Sequence, residues 1–461
     1  MGCARLSGLA ILALLGSTPV GAPLDSEYPP KYSTPNPTEN PVQLHTKILL
    51  GLVLGAIAGI TANIFFHDAT QLSWIVDNVA NPVGQIFLRM LFMIVVPLIV
   101  ASVTLGVASL GDLRRVGRIG GKSLGFFLFT TAIAATIGLT LINVVAPGKS
   151  LDESVRAQLL AEYSGAAAER VGSGAVFGIQ TFINIVPRNP IDSMARGDML
   201  GLICFSIIVG IALTQLKPER AAPLIGVLEA IVEVVTKIIG YAMALAPYGV
   251  AGLIFSVTSK FGADVLRSLA LYVVMVLAGL LIQLLAVTGV FAKILGGIPY
   301  GQFFRKCRAL MITAFSTSSS NATLPENIRT AEDEFGVPKE IASFVLPLGA
   351  TMNMNGTALF EGMTVLFLAQ VFGIDLSLTS QIIVVVMSVI TAIGAAGVPG
   401  GSIPLLVLIL EMVGVPGTGI ALILGVDRIL DMSRTVPNVM GDLVTSIIVT
   451  KSEGIALKTA D

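Results

Sequence analysis

Residues Gly425–Ile448 read GVDRILDMSRTVPNVMGDLVTSII and set charged and amide side chains inside an otherwise apolar stretch. At about 100° per residue, six of its polar side chains share one helical face. They are Asp427, Asp431, Arg434, Thr435, Asn438 and Asp442. Ionisable groups at membrane depth are costly, so they normally face a protein cavity and mark the path of an ion or a substrate. The stretch therefore predicts a buried helix that lines a site; a network of internal salt bridges is the alternative.

The rest of the chain has the composition of a helical membrane protein. Of its 461 residues, 54% are hydrophobic and 12% are charged, and the mean hydropathy is +0.86. These values exclude a soluble globular protein. A net charge of -1 with no long basic run gives no surface for nucleic acid, which is not expected as a partner. The scattered Cys3, Cys204 and Cys307, with His45 and His67 as the only histidines, predict neither a disulfide framework nor a zinc site.

Residues 1–43 are expected to lie outside the fold. Leu6–Val20 is a short apolar run that resembles a signal peptide, with a loose hydrophobic leader as the alternative. Leu24–Val42 is rich in Pro, Ser, Thr and Asn, which is typical of a disordered linker.

The membrane core is predicted to begin near Leu44. Five apolar stretches have spanning length: about 44–66, 83–110, 124–145, 221–256 and 265–295. Residues 176–216 are also apolar, but VPRNPIDSMARGDM interrupts them, so short helical pieces are expected there. The basic loops at Arg114–Lys122 and Arg305–Arg308 are predicted to be cytoplasmic.

The last third of the chain contains two stretches that cannot continue a plain spanning helix. Met311–Leu324 is rich in small hydroxyl residues, and Gly394–Pro404 is rich in Gly and Pro. Each is expected to form the tip of a re-entrant helical hairpin. Each is followed by a long helix that we expect polar residues to interrupt, at Pro347–Gly362 and again at Asp427–Asp442. Paired interrupted segments indicate a transporter site at the interface of inverted repeats.

These elements suit a small anion that moves together with cations. Backbone N–H groups at Ser318–Ser320 and Gly400–Ser402 can hold a carboxylate. Arg434 can bind a carboxylate through two hydrogen bonds, and Asp431 can pair with an ammonium group. A hard cation can be ligated by oxygens of four residues, Gly349, Thr351, Asn353 and Asp442.

Four ordered motifs make the resemblance specific: FSTSSSNATLP, NMNGTALFEG, AAGVPGGSIP and DRILDMSRTVPNVMGD. Together they resemble the dicarboxylate/amino acid:cation symporter family, which includes archaeal aspartate transporters and mammalian excitatory amino acid transporters. The resemblance covers about residues 44–453. It implies an all-α polytopic membrane protein with eight transmembrane helices, two re-entrant helical hairpins and inverted repeats. It also implies a homotrimer in the lipid bilayer of the plasma or inner membrane, and transport by an elevator movement.

The domain boundaries that this resemblance implies alternate between two bodies. Scaffold helices are expected at 44–122 and 174–257, the second range including the trimer contacts. The third helix and its loop, 123–173, would join the transport domain core at 258–453, and residues 454–461 would form a cytoplasmic tail.

The resemblance also implies a site for an acidic substrate. Its residues would be Ser318, Ser319, Ser320, Thr357, Val398, Ser402, Asp431, Arg434, Thr435 and Asn438. Within this set, Arg434 and Thr357 would bind the side-chain carboxylate of the substrate. Asp431 would bind its amino group, while Ser320 and Asn438 would hold its main-chain carboxylate.

Co-transported sodium ions would occupy three sites by the same resemblance. The first would use Gly349, Asn353, Asn438 and Asp442. The second would use the carbonyl groups of Thr351, Ala392, Ile393 and Ala395. The third would use Thr130, Thr131, Asn353 and Asn355.

The chain departs from the family pattern at this third site and at a missing arginine. Asn355 stands where the family usually has Asp, and Phe127 stands where archaeal relatives have Tyr; both changes weaken the third sodium site. Ser318 replaces an archaeal arginine, and Met432 replaces the mammalian alternative. Arg428, one helical turn before Met432, is a candidate to supply the missing charge.

The sequence therefore predicts a transporter and not an enzyme: a sodium-coupled symporter of glutamate or aspartate. A proton-coupled C4-dicarboxylate symporter is the alternative within the family, and the presence of Asp431 argues against it because a dicarboxylate has no ammonium group. A membrane hydrolase using the serine-rich tip is a distant alternative, since no nearby His or Lys would activate a serine. A gated channel is another, which flux stoichiometry would separate from a symporter.

Overall fold

The computed structural model describes residues 44–66, 70–163, 186–196, 199–395, 397 and 399–458. The predicted leader and linker, residues 1–43, lie outside the described residues. Within the described ranges the chain is helical and contains no strand, which agrees with the all-α class.

The first half of the described chain consists of long apolar helices joined by short ones. They are α1 (Leu44–Phe66), α2 (Thr70–Ile75), α3 (Asn81–Phe92), α4 (Val95–Val116), α5 (Arg118–Val145), α6 (Glu153–Tyr163), α7 (Pro190–Arg196), α8 (Met199–Gln215) and α9 (Pro218–Phe261). A wide helical turn, Val76–Ala80, joins α2 to α3. Helix α1 packs closely on α9: a Cβ at Gly51 would lie 2.3 Å from the Pro247 carbonyl oxygen. Small residues at such contacts are typical of helix pairs in membranes.

The second half contains shorter helices separated by turns. They are α10 (Asp264–Ile282), α11 (Tyr300–Lys306), α12 (Arg308–Thr317), α13 (Ser320–Arg329), α14 (Lys339–Met352), α15 (Asn355–Val371), α16 (Leu378–Gly394), α17 (Ile403–Met412) and α18 (Ala421–Ser452). Wide helical turns at Gln283–Gly289 and Ala292–Gly296 extend α10. Every residue of α15 is buried, so this helix forms the centre of the fold around the site.

At each predicted hairpin tip, two helices are joined by a tight turn. Between α12 and α13 the chain turns at Ser318, whose φ is 52°, and the Ser319 side chain accepts a hydrogen bond from the Ala322 N–H at 3.1 Å. That bond satisfies one of the free N–H groups at the start of α13. Between α16 and α17 the chain turns near Gly400, whose φ is 75° and suits glycine. The re-entrant arrangement of the two pairs in a membrane stays a prediction.

One of the two predicted helix interruptions is present and the other is not. Helix α14 ends at Met352 and α15 begins at Asn355, with Asn353 and Met354 non-helical between them. Helix α18, in contrast, runs unbroken from Ala421 to Ser452, so the prediction of an interruption at Asp427–Asp442 was wrong. The Thr435 hydroxyl donates to the Asp431 carbonyl oxygen at 2.8 Å, one turn earlier in the same helix, and this bond does not break α18. The helix also accommodates Pro437 in its interior.

Several helices have the length and composition of membrane spans. Among the described residues, four stretches qualify: Thr46–Phe66, Thr70–Ala108, Arg118–Ser150 and Asp264–Gly296. Three shorter apolar helices are Gly201–Gln215, Leu378–Ile393 and Ile403–Met412. The other predicted spans are interrupted or carry more charge, so the number eight stays a prediction, as does the division into scaffold and transport domains.

Candidate functional site

A cavity lies where both turns, the break before α15 and the polar face of α18 meet. It is lined by Ser318, Ser320, Met354, Thr357, Ala395, Gly397, Ser402, Asp431, Arg434, Thr435 and Asn438. The lining includes eight of the ten predicted substrate-binding residues. Ser319 lies beside it in the first turn, and Val398 falls outside the described residues.

Arg434 is the central cation of this cavity, and its side chain is 1% exposed. Its Nη1 donates to Asp427 Oδ1 at 3.1 Å. Its Nη2 lies 2.8 Å from Asp431 Oδ1, an ion pair without the angles of a hydrogen bond. The guanidinium also lies over the Phe360 ring, 4.2 Å from its centroid. Arg434 is therefore held on three sides, and Nη2 keeps a hydrogen-bonding direction for a ligand.

Asp431 is shared by two arginines and the second turn. Its Oδ2 accepts a hydrogen bond from the Gly400 N–H at 3.1 Å. Arg428 Nη1 lies 3.7 Å from the same oxygen. Arg428, the candidate for the missing charge, is thus placed at the carboxylate that was predicted to bind the substrate's amino group.

Asn438 joins α18 to the start of α15. Its Oδ1 accepts hydrogen bonds from the Gly356 N–H at 2.7 Å and the Thr357 N–H at 3.3 Å. Its Nδ2 donates to Thr357 Oγ1 at 3.2 Å. These contacts satisfy N–H groups that the first turn of a helix leaves free, which explains why a helix can restart here.

The two turns meet at Gly397 and leave two hydroxyl groups for a ligand. The Gly397 carbonyl oxygen accepts from Ser319 Oγ at 2.5 Å and from the Asn321 N–H at 3.3 Å. Ser318 Oγ and Ser402 Oγ are buried and have no hydrogen-bond partner within the described chain. Buried hydroxyl groups are normally paired, so their position at the cavity suits an incoming acceptor.

Three of the four residues of the first predicted sodium site come together, Gly349, Asn353 and Asp442, whereas the Asn438 side chain bonds to the start of α15. The Asp442 side chain is buried, and its Oδ1 accepts from Asn353 Nδ2 at 2.9 Å. Gly349 lies so close that a Cβ there would be 2.5 Å from the same oxygen. A single carboxylate beside the buried C-terminal end of α14 offers hard oxygen ligands of the kind that sodium prefers.

The residues of the third predicted site also meet, between α5 and the break. Thr131 Oγ1 donates to Asn355 Oδ1 at 2.9 Å, and Thr130 Oγ1 lies 3.4 Å from Asn353 Oδ1 as its donor. Phe127 is fully buried one turn earlier in α5. These side chains carry no charge, because Asn355 stands where the family usually has Asp.

Only part of the second predicted sodium site is brought together in the structure. The end of α14 adjoins the second turn, since a Cβ at Gly397 would lie 3.0 Å from the Ala350 carbonyl oxygen. The Ile393 carbonyl oxygen lies against Gly106 of α4, 3.0 Å from where a Cβ would be. Convergence of the carbonyl groups of Thr351, Ala392, Ile393 and Ala395 stays a prediction.

Comparison with known proteins agrees with this geometry. The profile of the sodium:dicarboxylate symporter family matches residues 44–452. The chain belongs to this family. The resemblance drawn from the four motifs is thereby confirmed.

The names of related proteins refer to more than one substrate. This family member is 38% identical over 375 residues to the proton/sodium-glutamate symport protein of Bacillus caldotenax, covering 81% of this chain and 88% of the relative. It is 38% identical over 380 residues to the proton/glutamate-aspartate symporter of Escherichia coli (strain K12), covering 82% and 86%. It is 33% identical over 375 residues to the C4-dicarboxylate transport protein of Bacillus subtilis (strain 168), covering 81% and 87%. All three are transporters, which supports the prediction that this family member is not an enzyme.

Sequence reasoning missed Glu361 and Phe360 and left Asp427 out of the substrate site. Glu361 is fully buried; its Oε2 accepts from Thr391 Oγ1 at 2.7 Å, and its Oε1 has no hydrogen-bond partner within the described chain. The signal was present, because Glu361 is the only charged residue in α15 of this symporter-family chain. An acid in an otherwise apolar membrane helix is by itself a candidate functional residue.

Proposed function

We propose that this chain is a cation-coupled symporter that carries acidic amino acids, glutamate or aspartate, with sodium as a coupled ion. The observation that carries the proposal is the Arg434–Asp431 pair at the cavity, 2.8 Å apart. An acidic amino acid offers a carboxylate for Arg434 and an ammonium group for Asp431, so both charges exchange one partner for another. Family membership and the names of the glutamate symporters support the proposal.

Substrate binding would proceed by this exchange of ion pairs. The substrate carboxylate would take the free hydrogen-bonding direction of Arg434 Nη2, and Asp427 would keep its hydrogen bond to Nη1. Guanidinium and carboxylate groups match in shape when two hydrogen bonds form. The ammonium group would replace Arg434 at Asp431, so no buried carboxylate is left without a cation. The main-chain carboxylate would meet the hydroxyl groups of Ser318 and Ser402.

Sodium binding would be coupled to the substrate through the break before α15. Asn353 bonds to Asp442, and the adjoining Met354 and Thr357 line the cavity. A sodium ion at Gly349, Asn353 and Asp442 would balance the buried Asp442 and fix the conformation of the break. Each ligand would then favour the arrangement that the other binds, which is the thermodynamic content of coupling.

Protons are a second candidate for the coupled ion, and Glu361 favours them. Its unpaired Oε1 is buried one residue after Phe360, on which Arg434 rests. A proton on Glu361 would remove a buried charge that has no cationic partner in contact among the described residues. We propose Glu361 as the proton-carrying residue if uptake follows a proton gradient.

Uptake into proteoliposomes tests these proposals. Purified protein is reconstituted, and labelled aspartate, glutamate and succinate are offered under an inward sodium gradient or an inward proton gradient. We expect aspartate or glutamate uptake that requires sodium. Uptake of succinate alone would favour the C4-dicarboxylate alternative, and uptake independent of both gradients would contradict symport.

Glu361→Gln separates the two coupling ions. The amide keeps the size of the side chain and its acceptor for Thr391, but it cannot bind and release a proton. We expect the variant to lose uptake driven by a proton gradient and to keep uptake driven by sodium. Equal proton-driven uptake in the variant and the wild type would remove Glu361 from the pathway.

We further propose a homotrimer in the plasma or inner membrane that works by an elevator movement. Family membership supports this proposal, together with the apolar side chains that α1 and α9 leave exposed, among them Leu54, Ile57, Val227 and Val234. Cross-linking in native membranes, followed by sizing of the product, would test the trimer.

A further inference from the structure

Arg428 places a second guanidinium beside Asp431, which lines the cavity. Its side chain is 13% exposed, and its Nη1 lies 3.7 Å from Asp431 Oδ2. Its Nε is buried and has no hydrogen-bond partner among the described residues. Arginine remains charged in proteins, so this position adds a permanent positive charge at the edge of the site.

Asp431 is consequently contacted by cations on both of its oxygens. Arg434 lies 2.8 Å from Oδ1, and Arg428 lies 3.7 Å from Oδ2 beside the Gly400 N–H. Arg434 also donates a hydrogen bond to a second carboxylate, that of Asp427. The four side chains form a group with two positive and two negative charges, in which only Arg434 must change partner when a substrate carboxylate binds.

The consequence depends on whether the substrate carries an ammonium group. When a substrate carboxylate takes Arg434, Asp431 loses its closer cation. An amino acid supplies a replacement, but a C4-dicarboxylate supplies none. An unpaired buried carboxylate is strongly destabilising. In this chain Arg428 remains beside Oδ2, so Asp431 keeps a cation in either case.

We infer that Arg428 is the resident counter-ion of Asp431, and that it allows this site to bind C4-dicarboxylates in addition to acidic amino acids. The inference rests on the proposed function and specifies its substrate class. Arg428 acts through Asp431 and is a positioning residue. The same charge repels a substrate ammonium group at Asp431, so Arg428 strengthens dicarboxylate binding while it weakens amino acid binding.

The test compares Arg428→Gln and Arg428→Lys with the wild type in proteoliposomes. The measured quantities are the KM values for aspartate and succinate under a fixed cation gradient. For Arg428→Gln we expect the succinate KM to rise about tenfold, equivalent to roughly 1.4 kcal/mol, and the aspartate KM to stay or fall. Arg428→Lys keeps the charge and should restore succinate uptake. A general loss of stability would not move the two values in opposite directions.

A matched control is Arg329→Gln. Arg329 is 63% exposed and pairs with Glu326 on the surface, with Nη2 at 2.7 Å from Oε1. Removing this charge should leave both KM values unchanged. If Arg428→Gln does not fold, Arg428→Leu suits the partly buried position and carries the same expectation.

Three results would overturn the inference. One is an equal change of both KM values in Arg428→Gln, and another is an Arg428→Lys variant that behaves like Arg428→Gln. The third is a wild type that takes up aspartate but neither transports succinate nor is inhibited by it, which leaves the proposed function intact. A wild type that takes up neither substrate contradicts the proposed function itself.

Discussion

At the scale of single residues, the site is a set of charges that are paired before any substrate arrives. Arg434 contacts Asp427, Asp431 and the Phe360 ring. The pairing keeps a fully buried guanidinium stable, and the surrounding contacts fix its position. A substrate must therefore replace ion pairs, and selectivity follows from how completely it replaces them.

Arg434→Cys tests which substrate group this cation binds. We expect aspartate and glutamate uptake to fall at least about thirtyfold, because cutting a buried charge pair costs roughly 2–5 kcal/mol. Neutral amino acids such as serine should become substrates. Competition between labelled serine and unlabelled aspartate measures the change.

The fold of that variant needs its own control, since Asp427 and Asp431 both lose a cation. Adding Asp427→Asn removes one unpaired carboxylate and should recover expression without recovering aspartate uptake. Unchanged aspartate affinity in Arg434→Cys would refute the assignment.

Asn355 tests whether a missing charge sets the requirement for sodium. Asn355 Oδ1 already accepts from Thr131 Oγ1 at 2.9 Å, and a carboxylate would keep that acceptor. At an effective dielectric constant of about 20, a full charge about 4 Å from a cation contributes roughly 4 kcal/mol before desolvation is counted. We expect Asn355→Asp to lower the sodium concentration for half-maximal uptake about tenfold, or to raise the charge moved per substrate.

Asn189→Asp is the matched control, because it adds the same charge at an exposed position whose Oδ1 already accepts hydrogen bonds from the Ile191 and Asp192 N–H groups. It should change neither quantity. If Asn355→Asp also changes neither, Asn355 is a hydrogen-bonding element of the break and does not govern coupling.

At the scale of elements, the sequence predicted the polar face of α18 but not its continuity. The face followed from helical periodicity, which depends only on the chain's own order. Whether a helix breaks depends on what competes for its backbone groups. The Asn438 side chain bonds to the backbone N–H groups of Gly356 and Thr357, which lie 82 and 81 residues away in the sequence. The local sequence of α18 does not show that the Asn438 side chain will contact another helix. Phe360 was missed for the same reason, since its partner Arg434 is distant in sequence. Glu361, in contrast, could have been identified from the sequence, because it is the only charged residue in α15.

The contact between α14 and α18 can be tested with a glycine substitution. A Cβ at Gly349 would lie 2.5 Å from Asp442 Oδ1, so alanine must displace this carboxylate. Overpacking of this kind costs about 1–3 kcal/mol. We expect Gly349→Ala to raise the sodium concentration for half-maximal uptake about tenfold at unchanged expression.

Gly125→Ala provides the comparison for that experiment. Gly125 lies within α5, and a Cβ there would meet nothing within 4 Å. Alanine favours the helix, so this variant should be as stable as the wild type and equally responsive to sodium. Equal sodium dependence in both variants would separate Gly349 from the cation site.

At the scale of the whole molecule, the end of the chain connects regions that the sequence placed on one side of the membrane. Glu453 accepts from Arg118 Nε at 3.1 Å and from Lys122 Nζ at 2.8 Å; the sequence predicted a basic loop here, but both residues lie in the first turns of α5. The Lys458 N–H donates to the Phe335 carbonyl oxygen at 2.9 Å, and Lys306 Nζ lies 3.3 Å from the Lys458 carbonyl oxygen as its donor. Charge counting predicted a common side for both basic loops, whereas these pairings across more than a hundred residues required the structure.

The contribution of Glu453 to the stability of the folded protein should depend on pH. Hydrogen bonds from Arg118 and Lys122 hold the pKa of this carboxyl below its ordinary value. A group with a lowered pKa in the folded state stabilises the protein above its unfolded pKa, and that contribution is lost as the pH falls through the folded value. We expect Glu453→Gln to lower Tm at pH 7, with the difference from wild type shrinking as the pH falls below about 4. Because Arg118 and part of Lys122 are solvent-exposed, high salt should reduce the difference at pH 7 as well. A difference in Tm that persists unchanged at acid pH and in high salt would show that Glu453 acts through packing and not through its charge.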